Sequence, residues 1–158
     1  MPKLPKKGWI LDEIDKFILE KLMNNAKTKL KELCNITGIT KVPMSYRVNS
    51  LAKDFILGTY SRVNKKALGY TVDGVLLVSL KSQTNEMFDE FTCYVANRLE
   101  IRSLELVSGS CDYIIKFVAK DNNHASDILE FIRDFPSINR VQFFNILSTP
   151  IYREGVPL

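Results

Sequence analysis

The segment ITKVPMSYRVNSLAKDFI, residues 39–56, lays two opposed patterns on one helical period. Met44, Val48 and Leu51 recur at i, i+4 and i+7, a stripe that has to be buried against other helices. At about 100° per residue, the opposite side collects Val42, Tyr46, Asn49 and Lys53, with Arg47 on the flank. Thr40 stands where an N-cap is wanted, and Pro43 falls in the first turn, where amides have no intrahelical acceptor. The pattern predicts a helix with one buried side and a polar, aromatic and basic side turned outward. An ordinary solvated face is the alternative reading, since outward helix faces are polar as a rule.

Upstream, Ile14, Ile18, Leu19 and Leu22 predict a first helix over roughly 13–23, opened by Asp12 with Asp15 placed to complete a capping box. Leu30, Leu33 and Cys34 mark a short second helix that Gly38 can end in the left-handed conformation. Three short helices with a tight turn before the third match a helix-turn-helix. Downstream, FILGTYSRV (55–63) is rich in β-branched and aromatic residues and predicts a strand or ribbon that makes the module winged.

From residue 69 the period changes. TVDGVLLVSL (71–80), SLELVSG (103–109), YIIKFVA (113–119) and RVQFFNIL (140–147) read as strands. NEMFDEFTCYVANRLE (85–100) reads as a helix with Phe88, Phe91, Val95 and Leu99 on one face, and HASDILEFIRDF (124–135) as another with Ile128, Leu129 and Ile132 buried. The predicted fold class is therefore α+β: a winged helix-turn-helix domain over 1–56, a linking strand or hinge over 57–68, and a ferredoxin-like β-α-β-β-α-β domain over 69–158. Such a sheet has helices on one face only. Apolar residues on both sides of its strands (Val75 to Val78, Phe143, Phe144) predict that the open face packs on another subunit.

Charge separates the halves. Residues 1–66 carry 14 Lys/Arg against 6 Asp/Glu, net +8, and residues 67–158 carry 8 against 12, net −4. A basic half beside an acidic one points to a polyanion as the partner of the first. Three cysteines without a CxxC pair fit a reducing compartment, and one histidine, His124, leaves a zinc site or a nucleophilic triad without ligands or partners. No apolar run is long enough for a bilayer span, and the basic start MPKLPKKG lacks the apolar stretch of a signal peptide; a cytoplasmic protein is expected. Lys3, Lys6 and Lys7 read as a solubilising tail sooner than as a minor-groove arm.

Five motifs in order carry a resemblance. LDEIDKFILEKL (11–22) fits L-D-x-x-D-x-x-I-L-x-x-L, followed by ELCNITGIT (32–40), YRVNSL (46–51), FILGTY (55–60) and LVSGSCDY (106–113) for V-x-G-x-x-D-[YF]. Together they resemble the leucine-responsive regulatory protein (Lrp/AsnC, feast/famine) family of transcription regulators over essentially the whole chain. Three positions depart from its pattern. Asp54 replaces a Gly after the third helix, where it puts a carboxylate near the expected DNA backbone. Lys29 replaces a capping Ser, so that Thr28 is left to cap the second helix, and Lys27 replaces an Arg without its bidentate fork.

The resemblance implies a recognition helix in the major groove. Val42, Ser45, Tyr46 and Asn49 would then reach base edges, and Thr40, Lys41, Arg47 and Lys53 the phosphate backbone. Arg47 has a structural alternative in pairing with Asp12 or Asp15. The family's dimers associate further into tetramers and octamers, and its turn corresponding to Gly109, Ser110, Cys111, Asp112 and Tyr113 holds a small effector, typically an amino acid. Backbone amides and Ser110 could hold a carboxylate there and Asp112 an ammonium, while a plain hairpin needing Gly109 at positive φ is the bland reading. The expected function is a sequence-specific DNA-binding regulator without cofactor, metal or enzymatic activity. The alternatives are an architectural DNA-packing protein and, against the single histidine, a tetrapyrrole decarboxylase-like enzyme.

Overall fold

The computed structural model describes residues 10–153 and 155–158; the basic tail with Lys3, Lys6 and Lys7 lies outside them. Two compact units divide the chain, one running up to Arg62 and including Tyr152–Leu158, the other Val63–Ile151. Among the described residues, no helix is long and apolar enough to cross a membrane.

The first unit holds α1 (Glu13–Asn24), α2 (Leu30–Thr37) and α3 (Lys41–Phe55). The capping box forms: the Asp15 amide donates to the Asp12 carboxylate at 2.7 Å, and the Asp12 amide donates back to Asp15 at 3.4 Å. Gly38 ends α2 at φ 71°. Thr28 does not take over as cap. Its hydroxyl donates backwards to the Asn25 carbonyl at 2.6 Å, which leaves Lys29 at the N-cap with no side-chain bond. Thr40 occupies the N-cap of α3, again without a side-chain bond. Ile18, Leu19, Leu33, Met44 and Leu51 form the core, with Val48 packed against it. At about 1.5–3 kcal/mol per buried aliphatic side chain, this cluster is what holds three short helices together.

Residues 56–64 form no strand, against the expectation for FILGTYSRV; a single 3₁₀ turn follows at Lys66–Leu68. A strand is defined by its pairing, and among the described residues no segment pairs with this one. Leu57, Tyr60 and Val63 accordingly stay exposed. In the first unit the Arg62 guanidinium lies 4.1 Å from the Tyr152 ring centroid, a cation–π contact that ties the linker to residues past the last strand.

The second unit runs β1 (Val72–Leu80), α4 (Asn85–Val95), β2 (Ile101–Leu106), β3 (Tyr113–Ala119), α5 (Asn122–Arg133) and β4 (Ile138–Asn145). The strands make one antiparallel sheet in the order β2-β3-β1-β4. Burial alternates along β1: Val72, Leu76, Val78 and Leu80 join Tyr113, Ile115 and Phe117 of β3 against Phe91, Val95, Ile128 and Ile132 of the two helices. Leu99 is not on the buried face of α4. That helix ends at Val95, so the 100° stepping stops before Leu99, which is 87% exposed.

The register places Val75 opposite Lys116 and Phe144, and Leu77 opposite Ile114 and Gln142, on the side away from this cluster. No described helix covers that side. Lys116 crosses it to pair with Glu105 at 2.8 Å and, with the Ser103 hydroxyl, draws the Glu105 carboxyl below its ordinary value.

Gly74 sits in β1 opposite Phe117, and a Cβ there would come within 2.2 Å of the ring. Phe117 is itself 2% exposed, so the ring has nowhere to retreat. Gly74→Ala is expected to cost about 1–3 kcal/mol through overpacking, read as an earlier urea midpoint with unchanged m-value.

Candidate nucleic-acid interface and ligand cleft

The face of α3 opposite Met44 and Leu51 is open. Val42 and Tyr46 are 80% and 75% exposed, and Thr40, Lys41, Asn49 and Lys53 are exposed beside them, with Ser45 half-buried. The helix orders this row because its apolar stripe is fixed in the core, which leaves the other side no freedom to roll. A shallow hollow of about 600 Å³ runs along it, lined by Asp15, Val42, Pro43, Tyr46, Arg47 and Ser50. Ser50 was not singled out in the sequence, and Pro43 only as a first-turn residue; that both line this hollow is shown by the folded helix.

Arg47 has a different position from its neighbours. Its Nη1 donates to Asp12 at 2.6 Å and to Asp15 at 2.6 Å, joining α3 to the start of α1. The ion-pair alternative is thus formed through Nη1, while the Arg47 side chain stays 33% exposed and Asp15 is buried at the junction. The two carboxylates raise the Arg47 pKa further above its ordinary value, Asp12 contributing first. Conversely, the hydrogen bond from the Asp15 amide, followed by that from Arg47, lowers the Asp12 carboxyl below its ordinary 3.8. A depressed carboxyl stabilises the fold fully above that ordinary value and loses its contribution as pH falls through the lower, folded value. The three-helix unit should therefore keep the Asp12 contribution down to about pH 4 and lose it below. Acid titration followed by helical circular dichroism checks this, and Asp12→Asn should remove that part of the acid dependence.

In the second unit, the β2–β3 connection lines a cleft of about 330 Å³ with Gln83, Phe88, Leu106, Val107, Ser108, Gly109, Cys111 and Asp112. Gly109 takes φ 147°, as a turn needing positive φ requires. Ser110 is exposed and Cys111 half-buried. Two residues of the expected effector set make structural hydrogen bonds. The Asp112 carboxylate, in a residue 8% exposed, accepts the Leu80 amide at 2.7 Å and the Gln83 side-chain amide at 2.7 Å. Tyr113 is 3% exposed, stands edge-on to Phe88 and donates its hydroxyl to the Phe88 carbonyl at 3.3 Å. Gln83, Phe88, Leu106, Val107 and Ser108 were missed as cleft residues, because the turn reads as local until β1 and α4 are seen beside it.

His124 is likewise engaged. The Lys120 amide donates to its Nδ1 at 3.3 Å, which leaves Nε2 to donate to Glu100 at 3.2 Å and fastens the start of α5 beside β2.

Comparison with known proteins agrees with this architecture. The HTH-type transcriptional regulator FL11 of Pyrococcus horikoshii is 26% identical over 140 residues, 88% of this chain and 91% of its own. The solved structure of Escherichia coli AsnC superposes with a TM-score of 0.84 at 25% identity, over 94% of this chain and all of its own. The feast or famine regulatory protein of Mycobacterium tuberculosis, solved with L-methionine, has the same fold at a TM-score of 0.81 and 22% identity, over 94% of this chain and all of its own. The family described as the Lrp/AsnC ligand binding domain matches residues 74–156, more than half of the sequence. The chain belongs to the Lrp/AsnC family of transcription regulators.

Proposed function

We propose that this chain is a sequence-specific DNA-binding regulator in which α1–α3 form the helix-turn-helix and α3 enters the major groove. The observation that carries this is the exposed row on α3, with Lys41 at one end, Lys53 at the other and Val42, Tyr46 and Asn49 between. Side chains able to reach bases stand in the middle of the helix, and cations stand at its margins. The half-buried Val75, Leu77 and Ile114 and the exposed Phe144 on the sheet's open face support a homodimer or a larger assembly, which would place two such helices about 34 Å apart on DNA. The cleft lined by Gly109, Cys111 and Asp112, with the exposed Ser110 in the same turn and the buried Tyr113 behind it, is the proposed site of a small effector such as an amino acid.

Fluorescence anisotropy of the full chain tests the reading. Its own upstream promoter duplex is titrated against an unrelated duplex at several salt concentrations, with and without a mixture of amino acids. A preference of about 10³ or more for the promoter supports specific regulation. Equal, steeply salt-dependent binding to both duplexes would point to DNA packing instead. No binding to either at low salt would end the DNA reading.

A further inference from the structure

The outward row of α3, formed by Val42, Tyr46, Asn49 and Lys53, contains no arginine. The helix has one arginine, Arg47, and its Nη1 is held by Asp12 and Asp15 at 2.6 Å each. Guanine presents two acceptors, O6 and N7, to the major groove, and the side chains that match them offer two donors. The lysines cannot easily serve. Lys41 and Lys53 stand near opposite ends of the helix, twelve residues and about 18 Å apart along the axis, so each lies roughly 9 Å from the midpoint between them. With the middle of the helix on the bases, both ammonium groups therefore fall near the phosphate rails.

What remains in the middle has a specific chemistry. From Val42 to Asn49 is about 10 Å of helix, roughly three base-pair steps. Asn49 ends in a carboxamide, one acceptor beside a donor, which complements the N6 amino group and N7 of adenine and gives guanine only one matched bond. Val42, 80% exposed, presents branched methyl groups, and Tyr46, 75% exposed, an aromatic edge. The C5-methyl of thymine is the apolar feature these would cover in the groove.

Resting on the DNA-binding reading above, we propose that α3 of this chain reads adenine–thymine pairs at the centre of each half-site, Asn49 bonding an adenine edge and Val42 with Tyr46 packing on thymine methyl groups. Lys41 and Lys53 supply affinity without base preference. Arg47 is a positioning residue that orients α3 from α1.

The test begins with duplexes selected by the full chain from a random-sequence pool, and continues with base analogues in the selected duplex. Replacing the central adenine by 7-deazaadenine removes N7 and should weaken binding roughly 3–10-fold for the native protein and leave Asn49→Ala unaffected. Replacing the thymine by deoxyuridine removes one methyl group and should weaken native binding about fourfold, with no further effect on Val42→Ala. Lys41→Ala should weaken binding to all duplexes alike and reduce the salt slope by about one. Alanine is well tolerated at exposed helical positions, so these variants keep the fold. Selected half-sites with guanine at the centre, or native binding indifferent to both analogues, would overturn the proposal while leaving DNA binding standing. Failure to select any duplex at low salt would remove both.

Discussion

Arg47→Ala is expected to destabilise the three-helix unit by about 3 kcal/mol, because it leaves a buried carboxylate without its counter-charge. The group left behind is Asp15, 7% exposed at the foot of α1, whose pairing across to α3 spans 32 residues of chain. In a unit of roughly 60–100 residues, such a loss lowers Tm by about 12–24 °C. Hydrogen exchange resolved by peptide is the suitable measurement, since protection should fall across α1, α2 and α3 while the sheet stays as it was. Arg47→Lys should recover part of the loss, as one ammonium can reach one carboxylate but does not reproduce the planar fork. If Arg47 instead served as a phosphate contact, alanine would leave exchange unchanged and flatten the salt dependence of DNA binding by about one unit of slope. The two outcomes do not overlap.

This residue also shows where sequence stopped being enough. The position of Arg47 on the flank of α3 follows from counting 100° steps, and both Asp12 and Asp15 were visible as acids near a helix start. Which way the guanidinium swings depends on how α1 crosses α3, a distance between segments that no local pattern contains. The helices themselves were legible for the opposite reason. Capping at Asp12, the left-handed turn at Gly38 and the i, i+4, i+7 stripe through Met44, Val48 and Leu51 are set by neighbours within a few residues.

The strands divide along the same line. Alternation and β-branched content located β1 and β3, whose pairing partners lie within the same unit. FILGTYSRV has similar composition and forms no strand among the described residues, because composition states only that a strand would be tolerated. The cleft was partly legible. Gly109 announced a turn, but Gln83 and Phe88 come from a loop and a helix that the turn meets only after the sheet has assembled. The acidic residue of the turn, polar and close to a hairpin tip, reads as a ligand group, and only the folded chain shows its carboxylate also accepting from the end of a neighbouring strand.

That acceptor role makes Asp112→Ala the second large expected effect. Its carboxylate takes the Leu80 amide at 2.7 Å and the Gln83 side-chain amide at 2.7 Å, while its own amide donates to Val78 and its carbonyl accepts from Val107, both at 2.9 Å. Backbone and side chain together thus join the β2–β3 turn to the end of β1. Alanine keeps the backbone bonds and removes both side-chain ones. The Gln83 amide can turn to water, but Leu80 is 5% exposed and its amide is left without an acceptor. Hydrogen bonds to a charged group contribute about 1.5–3 kcal/mol each, and an orphaned buried donor costs about 1–3 kcal/mol, so a loss near 3 kcal/mol is expected. Asp112→Asn keeps one oxygen for Leu80 and loses the charge, and about 1 kcal/mol is expected for it. Denaturant unfolding of both variants, with exchange at the end of β1, reads these values. A group reserved for a ligand's ammonium would behave otherwise: either substitution would abolish amino-acid binding while the unfolding midpoint stayed at the native value. Loss of stability with Asn milder than Ala places Asp112 in the frame of the cleft, and the exposed Ser110 with the turn amides is then where a carboxylate-bearing effector has to be sought.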